Sequence, residues 1–177
     1  LRNGISYEID LTEGVDLGVF LNIKNEKKLF NLKKILNVKR KLNLLDIGSN
    51  IGSVALPLTQ MYYKSNIYAI EPTFYAFKKL KRNIDLNPRL KKRIKALNFM
   101  INTDKATKKV HSSWNLNNHE MKHKIHLGSL KKINTKNITT LDFIIKKIKK
   151  KIDFIKIDVD GFELKVLQSG YLFIKKY

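Results

Sequence analysis

Several residue types that are needed for particular kinds of site or protein are absent from the sequence or scarce in it. The 177-residue chain has no cysteine, which excludes a disulfide framework, a thiolate zinc site and a cysteine nucleophile. It has no apolar run near the ~20 residues that a membrane-spanning helix needs. Its start shows neither an initiator Met nor the hydrophobic region of a signal peptide. We therefore expect a soluble, cytoplasmic chain that begins within a longer protein.

Acidic residues are also few, since 15 Asp and Glu oppose 36 Lys and Arg and leave a net charge of +21. Such an excess of basic residues suggests a nucleic-acid partner. Lys greatly outnumbers Arg, however, whereas nucleic-acid readers rely on the planar group of Arg to pair with phosphate and guanine. A solvated basic surface is the first interpretation, and a nucleic-acid-binding protein is the alternative.

The order of the predicted elements indicates the fold. Apolar periodicity predicts a half-buried strand near residues 5–11 and a helix over 26–41. The strands predicted after them cover residues 44–47, 67–70, 94–101 and 152–157, and the helices cover 54–63, 73–86, 140–149 and 161–170. This alternation predicts a doubly wound α/β fold, with a mostly parallel sheet and helices on both faces. We expect one domain over 1–177, with an N-terminal strand and helix region over 1–43 and a Rossmann-like core over 44–177.

The segment between the third predicted strand and residue 137 is polar. We expect strands or a hairpin near residues 110–116 and 125–133. His119 and His123 match the H-E-x-x-H spacing of zinc proteases, but no apolar periodicity supports a buried helix there. The histidines are therefore predicted to be polar residues of a loop region, and we predict no metal site.

A glycine-containing turn joins the strand at 44–47 to the next helix. Its candidate ligand-binding residues are Asp46, Gly48, Ser49, Asn50 and Gly52. Glycines let the backbone approach a ligand closely, and the following helix start supplies free N–H groups. Asn50 occupies the place of the second glycine in the dinucleotide motif G-x-G-x-x-G. The turn therefore favours a nucleoside ligand without a pyrophosphate.

Carboxylates follow two of the other predicted strands. Glu71 ends the strand at 67–70, where an acid can accept both ribose hydroxyls of an adenosine ligand. Asp158 and Asp160 follow the strand at 152–157 and lie two residues apart, which places them on one side of an extended chain. They are candidates for acid–base catalysis or for a divalent ion. A polar strand end with Asp160 capping the next helix is the alternative.

The chain resembles the FkbM family of S-adenosylmethionine-dependent methyltransferases. The resemblance is carried by residues 7–11 (YEIDL) with 13–16 (EGVD), 45–52 (LDIGSNIG), 69–72 (AIEP), 139–142 (TTLD) and 155–163 (IKIDVDGFE). It implies a class I methyltransferase fold, with S-adenosylmethionine bound by the turn from Gly48 to Gly52 and by Glu71. It also implies an adenine contact from Asp104, although residues 102–104 depart from the family's usual Gly-Asp.

The same resemblance implies methylation of a hydroxyl on a small molecule, sugar or glycan. The net charge of +21 motivates the alternative, a nucleic-acid-binding protein or an RNA methyltransferase. A domain of this type continues beyond Gly170 with a further strand and a hairpin. We therefore expect a fragment, in which the strand at 152–157 forms an exposed sheet edge.

Overall fold

A parallel β-sheet forms the centre of the computed structural model, which describes residues 1–22, 31–112, 130–133 and 135–176. The strands in chain order are β1 (Asn43–Ile47), β2 (Asn66–Ile70), β3 (Ile94–Leu97), β4 (Met100–Ile101), β5 (Lys109–His111), β6 (Leu130–Lys132), β7 (Ile138–Thr139) and β8 (Phe154–Ile157). Strands β3, β2, β1 and β8 lie side by side in that order, and every pairing is parallel. The predicted α/β class with a mostly parallel sheet is confirmed.

Helices cover both faces of this sheet. They are α1 (Gly14–Phe20), α2 (Ala55–Met61), α3 (Phe74–Asp85), α4 (Pro88–Lys91), α5 (Leu141–Ile148), α6 (Glu163–Gln168) and α7 (Tyr171–Lys176), and residues 31–35 are also helical. Leu44 packs in one core cluster with α2 and α3, whereas its neighbour Leu45 packs in another with α5. Successive strand residues point to opposite faces, so burial on both faces requires an unbroken apolar strand. Among the described residues, no helix is long and apolar enough to cross a bilayer.

The N-terminal segment differs from its predicted strand. Residues 5–11 form no strand of a sheet within the described chain. Their β-type pairing there is an isolated bridge between Ile5 and Arg2. Asparagine side chains bind the segment instead: Asn83 Oδ1, in α3, accepts from Glu8 N–H at 2.7 Å, and Asn87 Oδ1, just before α4, accepts from Ser6 N–H at 2.9 Å. The alternating pattern therefore indicates an extended, half-buried segment and not a strand of a sheet. Side-chain amides make the backbone hydrogen bonds that a neighbouring strand would otherwise make.

The polar region before α5 contains two small sheets beside the main one. Strands β5 and β6 form an antiparallel hairpin, and β4 pairs with β7 in parallel. The hairpin strands lie at the outer ends of the two predicted segments, while residues 113–129, including the H-E-x-x-H sequence, lie outside the described residues.

The helices and the strand of the C-terminal part follow their predictions. Thr140 Oγ1 accepts a hydrogen bond from Phe143 N–H at 3.2 Å, so it caps α5 as predicted. The helix predicted over 161–170 forms as α6 and ends at Gln168, close to its predicted end, and a further helix, α7, begins at Tyr171. Gly170 lies between them, and a Cβ there would lie 2.7 Å from Leu141. In the described chain β8 pairs with β1 alone, and all four of its residues are partly exposed.

Candidate active site

A cleft opens where three parallel strands end at the same edge of the sheet. Ile47, at the end of β1, is in register with Ile70 of β2 and Ile157 of β8. The residues lining the cleft are Gly48, Asn50, Glu71, Pro72, Thr73, Met100, Val110, His111, Ser112, Asp158, Val159 and Asp160. This is the edge at which open α/β sheets bind ligands. The parallel topology therefore brings together three motifs that are far apart in sequence.

The turn after β1 is folded over the end of β2. The N–H groups of Gly48 and Ser49 both donate to the carbonyl oxygen of Ile70, at 3.0 and 2.9 Å. Gly48, Asn50 and Gly52 all have positive φ angles, of 78°, 47° and 91°. Asn is among the few residues other than glycine that adopt this conformation readily.

Packing behind the cleft requires the two glycines. A Cβ on Gly48 would lie 1.9 Å from the carbonyl oxygen of Asp158, so the β1 turn and the β8 turn touch through backbone atoms. A Cβ on Gly52 would lie 2.9 Å from Leu80 of α3. Gly48 therefore lines the cleft and also permits the approach of β8, whereas Gly52 serves helix packing.

Glu71 is buried at the base of the cleft and ties the turn to the start of α3. Its Oε2 accepts from Asn50 N–H at 3.0 Å, and its Oε1 accepts from the N–H and hydroxyl of Thr73 at 2.9 and 2.6 Å. Burial raises the pKa of the Glu71 carboxyl, the hydrogen bonds from Thr73 and Asn50 oppose that shift, and the nearby Asp46 adds to it. Thr73 precedes α3 as predicted, but its hydroxyl binds Glu71 and makes no cap hydrogen bond.

Asp46 and Ser49 lie beneath the turn, away from the cleft lining. Asp46 is fully buried, and the hydroxyl of Ser49 donates to the Asp46 carbonyl oxygen at 2.7 Å. Among described groups, neither carboxylate oxygen of Asp46 accepts a well-angled hydrogen bond, yet Lys156 Nζ lies 3.0 Å from Oδ1. The contact is an ion pair without good hydrogen-bond geometry, and it compensates the buried charge.

Lys156 was not among the predicted site residues. Besides Asp46, its ammonium group donates to the Gly48 carbonyl oxygen at 3.1 Å and lies 3.5 Å from Asp158 Oδ2. One lysine thus joins the β1 turn to the β8 turn. A charged residue within an otherwise apolar core strand is the signal that identifies such a side chain in the sequence.

Asp158 and Asp160 both line the cleft. The strand ends at Ile157, and Asp160 adopts a left-handed φ of 44°, so a turn rather than an extended strand places them. The Glu163 carboxylate accepts from Val159 N–H at 3.2 Å and from Gly161 N–H at 3.0 Å, which holds that turn. The Asp158 side chain is 69% exposed, so solvent and ligands can reach it.

Asp104 is placed outside this set. It is exposed in the turn after β4, its Oδ1 accepts from Ala106 N–H at 2.8 Å, and it does not line the cleft. Its assignment to adenine stays a prediction.

A buried asparagine was also missed. The Asn83 side chain donates to the Ile51 carbonyl oxygen at 2.9 Å while it accepts from Glu8, so it links the turn to the N-terminal segment. An amide in the middle of a helix gives no sequence signal of this role, because both of its partners are distant in sequence.

A larger cavity lies elsewhere. It has a volume of about 450 Å³ and lies between the N-terminal segment and α2, with Ile5, Tyr7, Val19, Pro57 and Met61 among its lining residues. No carboxylate lines it within the described chain, and it lies apart from the strand ends. The chemistry of the lining therefore assigns the candidate site to the smaller cleft.

Comparison with known proteins adds a family match. The model of the methyltransferase FkbM domain matches residues 46–177. A search of curated proteins found no match. Similar solved structures include a putative transferase, PH0793, from Pyrococcus horikoshii, with 29% identity over 55% of this chain and 34% of that chain (TM-score 0.40). P. horikoshii TYW2 in complex with MeSAdo is 28% identical over 58% of this chain and 37% of that chain (TM-score 0.41). The chain thus spans about a third of the length of these two structures.

Proposed function

This chain belongs to the FkbM methyltransferase family, and we propose that it transfers a methyl group from S-adenosylmethionine to a hydroxyl oxygen of a small molecule, a sugar or a glycan. The observation that carries the proposal is the buried Glu71 carboxylate beside the Gly48–Gly52 turn, at the edge where β1, β2 and β8 end. A carboxylate in this place suits a ribose with free hydroxyls.

The cleft residues fit this cofactor. Gly48 and Asn50 line the cleft and have positive φ angles, which residues other than glycine adopt less readily. The turn lacks the second glycine that lets the backbone approach a pyrophosphate. Glu71 Oε1 already accepts two hydrogen bonds from Thr73, whereas Oε2 accepts one from Asn50 and keeps a lone pair that can accept a ribose hydroxyl. When bound, the cofactor supplies a methyl group on a positively charged sulfur, which makes that carbon electrophilic.

The chain's own contribution to the reaction is orientation and removal of a proton. Fixing the two reactants in line lowers the barrier by as much as ~7–11 kcal/mol. Asp158, Asp160 and His111 line the cleft and can each accept the proton of an acceptor hydroxyl. We assign that role to Asp158, because the Lys156 ammonium 3.5 Å away directs its carboxylate towards the turn at Gly48.

Asp158→Asn should lower turnover far more than cofactor affinity. An amide cannot accept the proton, and general base catalysis contributes typically ~10²–10⁴-fold. Single-turnover transfer of a labelled methyl group, beside calorimetric titration of the cofactor, measures both effects. Asp142→Asn is the control, because that carboxylate binds the backbone of α7 instead. Equal turnover in Asp158→Asn and the parent would remove Asp158 from the mechanism.

Lowering the pH should weaken cofactor binding, and it should also remove the cost of burying the charged Glu71 carboxylate. The pKa of Glu71 is raised in the fold, so protonation becomes favourable as the pH falls through that raised value, and the folded state gains stability relative to neutral pH. The protonated carboxyl, however, has fewer lone pairs for ribose hydroxyls. We expect calorimetric affinity for S-adenosylhomocysteine to fall over this interval, and Glu71→Gln to abolish the pH dependence. A persisting dependence in that variant would assign it to another group.

The strongly basic composition favours RNA as an alternative acceptor. The two candidates differ in their response to salt, because binding to a phosphate backbone weakens steeply between low and moderate ionic strength. RNA binding that is absent or insensitive to salt would eliminate the alternative. Competition between NADH and S-adenosylhomocysteine for the cleft tests the cofactor itself, since a nicotinamide enzyme shares this fold.

A further inference from the structure

The β5–β6 hairpin, at the rim of the cleft, presents two lysines in an unfavourable arrangement. Lys109 lies directly opposite Lys132 in the antiparallel register, and both side chains are exposed. Like charges opposite each other in a sheet destabilise it. Neither lysine forms an ion pair with another residue of the described chain, where the lysines in ion pairs include Lys79, Lys91 and Lys156.

The hairpin is fixed relative to the cleft. Val110 and Ile133 are buried in a small core with Met100 and Ile138, and Ile133 also forms a bridge with Thr73, beside Glu71. The hairpin therefore cannot relieve the repulsion of Lys109 and Lys132 by moving its strands apart without losing this core. Unfavourable local arrangements, such as two like charges opposite each other, occur most often at functional positions. This arrangement therefore points to a negatively charged ligand that compensates the two lysines.

The opposed lysines lie next to the cleft-lining residues of the hairpin. Lys109 directly precedes Val110 and His111, which line the cleft together with Asp158 and Asp160. His111 lies about 7 Å from Lys109 along the strand. The two carboxylates repel an anion, whereas the lysine pair attracts one. These opposite charges would orient a phosphate-bearing acceptor with its phosphate on the hairpin and its hydroxyl at the carboxylates.

We propose that Lys109 and Lys132 bind the phosphate group of the methyl acceptor, so that the acceptor is a phosphate-bearing molecule. This inference deepens the proposed function and rests on it. A sugar phosphate and a nucleic-acid strand both provide the required group.

The test is calorimetric titration of inorganic pyrophosphate and glucose 6-phosphate at low salt into the full chain and two double variants. K109S/K132S should bind both probes about five- to tenfold more weakly than the parent, as expected for two exposed charge contacts. K92S/K95S is the matched control, because it removes two exposed lysines at the amino end of β3 and should bind as the parent does. Loss of folding is not expected in K109S/K132S, since the substitution removes a repulsion.

A third probe, a ten-nucleotide single-stranded RNA, distinguishes the sources of the phosphate. RNA binding at least tenfold tighter than pyrophosphate binding, and weakened selectively in K109S/K132S, supports a nucleic-acid acceptor. Selective weakening of pyrophosphate or glucose 6-phosphate binding in that variant, without such tight RNA binding, supports a small phosphorylated acceptor. No binding of any probe, or equal weakening in both variants, would overturn the proposal. Titration of S-adenosylhomocysteine separates the two hypotheses: intact cofactor binding with no phosphate binding refutes only the phosphate site.

Discussion

Gly48→Ala should destabilise the protein by about 3–5 kcal/mol, combining the cost of a strained left-handed residue with that of overpacking. The new Cβ would lie 1.9 Å from the carbonyl oxygen of Asp158, and the φ of 78° disfavours any side chain. Relief of the clash requires β8 to move away from β1, which would disrupt the contacts of Lys156 with Asp46 and Gly48. Urea unfolding measures the loss of stability, and calorimetry should show no cofactor binding in the fraction that still folds.

The matched control for this prediction is Gly18→Ala. Gly18 lies in α1, and a Cβ there would meet no atom within 4 Å. Because alanine favours the helix over glycine, this variant should be unchanged or more stable by up to ~1 kcal/mol. Unfolding of Gly48→Ala at the same urea concentration as the parent would contradict the close contact between the turn after β1 and the turn after β8.

Glu71→Gln should weaken S-adenosylmethionine binding by about 10- to 100-fold. The amide nitrogen of glutamine donates hydrogen bonds, so it cannot accept both from Asn50 N–H and from a ribose hydroxyl. Losing hydrogen bonds to a charged acceptor costs about 1.5–3 kcal/mol, and each 1.4 kcal/mol is a factor of about ten in affinity. Calorimetric titration of the variant beside the parent gives the two dissociation constants.

Glu8→Gln is the control for Glu71→Gln. The Glu8 carboxylate is half-exposed and pairs with Arg82 at the surface, so its loss should change cofactor affinity by less than about twofold. Thermal unfolding should show Glu71→Gln folded, because removal of a buried charge offsets the lost hydrogen bond to Asn50. A folded Glu71→Gln variant with parental affinity would contradict the role of Glu71 in the cofactor site.

The sequence was informative about the fold wherever a local pattern has a single structural meaning. Short apolar runs alternating with amphipathic segments predicted the parallel sheet and helices on both faces, because burial on two faces requires such runs. Thr140 marked the start of α5, and the family match over residues 46–177 agrees with the resemblance carried by the motifs.

The same patterns were ambiguous where tertiary partners decide the structure. The alternation in residues 5–11 predicted a strand, but the amides of Asn83 and Asn87 satisfy the backbone of this segment. These amides lie tens of residues away from the segment in sequence, beyond the reach of local periodicity.

For the candidate site, the sequence by itself determined the chemical types and their positions at strand ends: a glycine turn, an acid after β2 and two acids after β8. The tertiary structure alone decided which of them share a cleft, because proximity at a sheet edge depends on strand order and register. It placed Gly48, Asn50, Glu71, Asp158 and Asp160 together. It also set Asp46 beneath the turn and brought Lys156 between two strand ends, since a charge can be buried only where another chain segment supplies its partner.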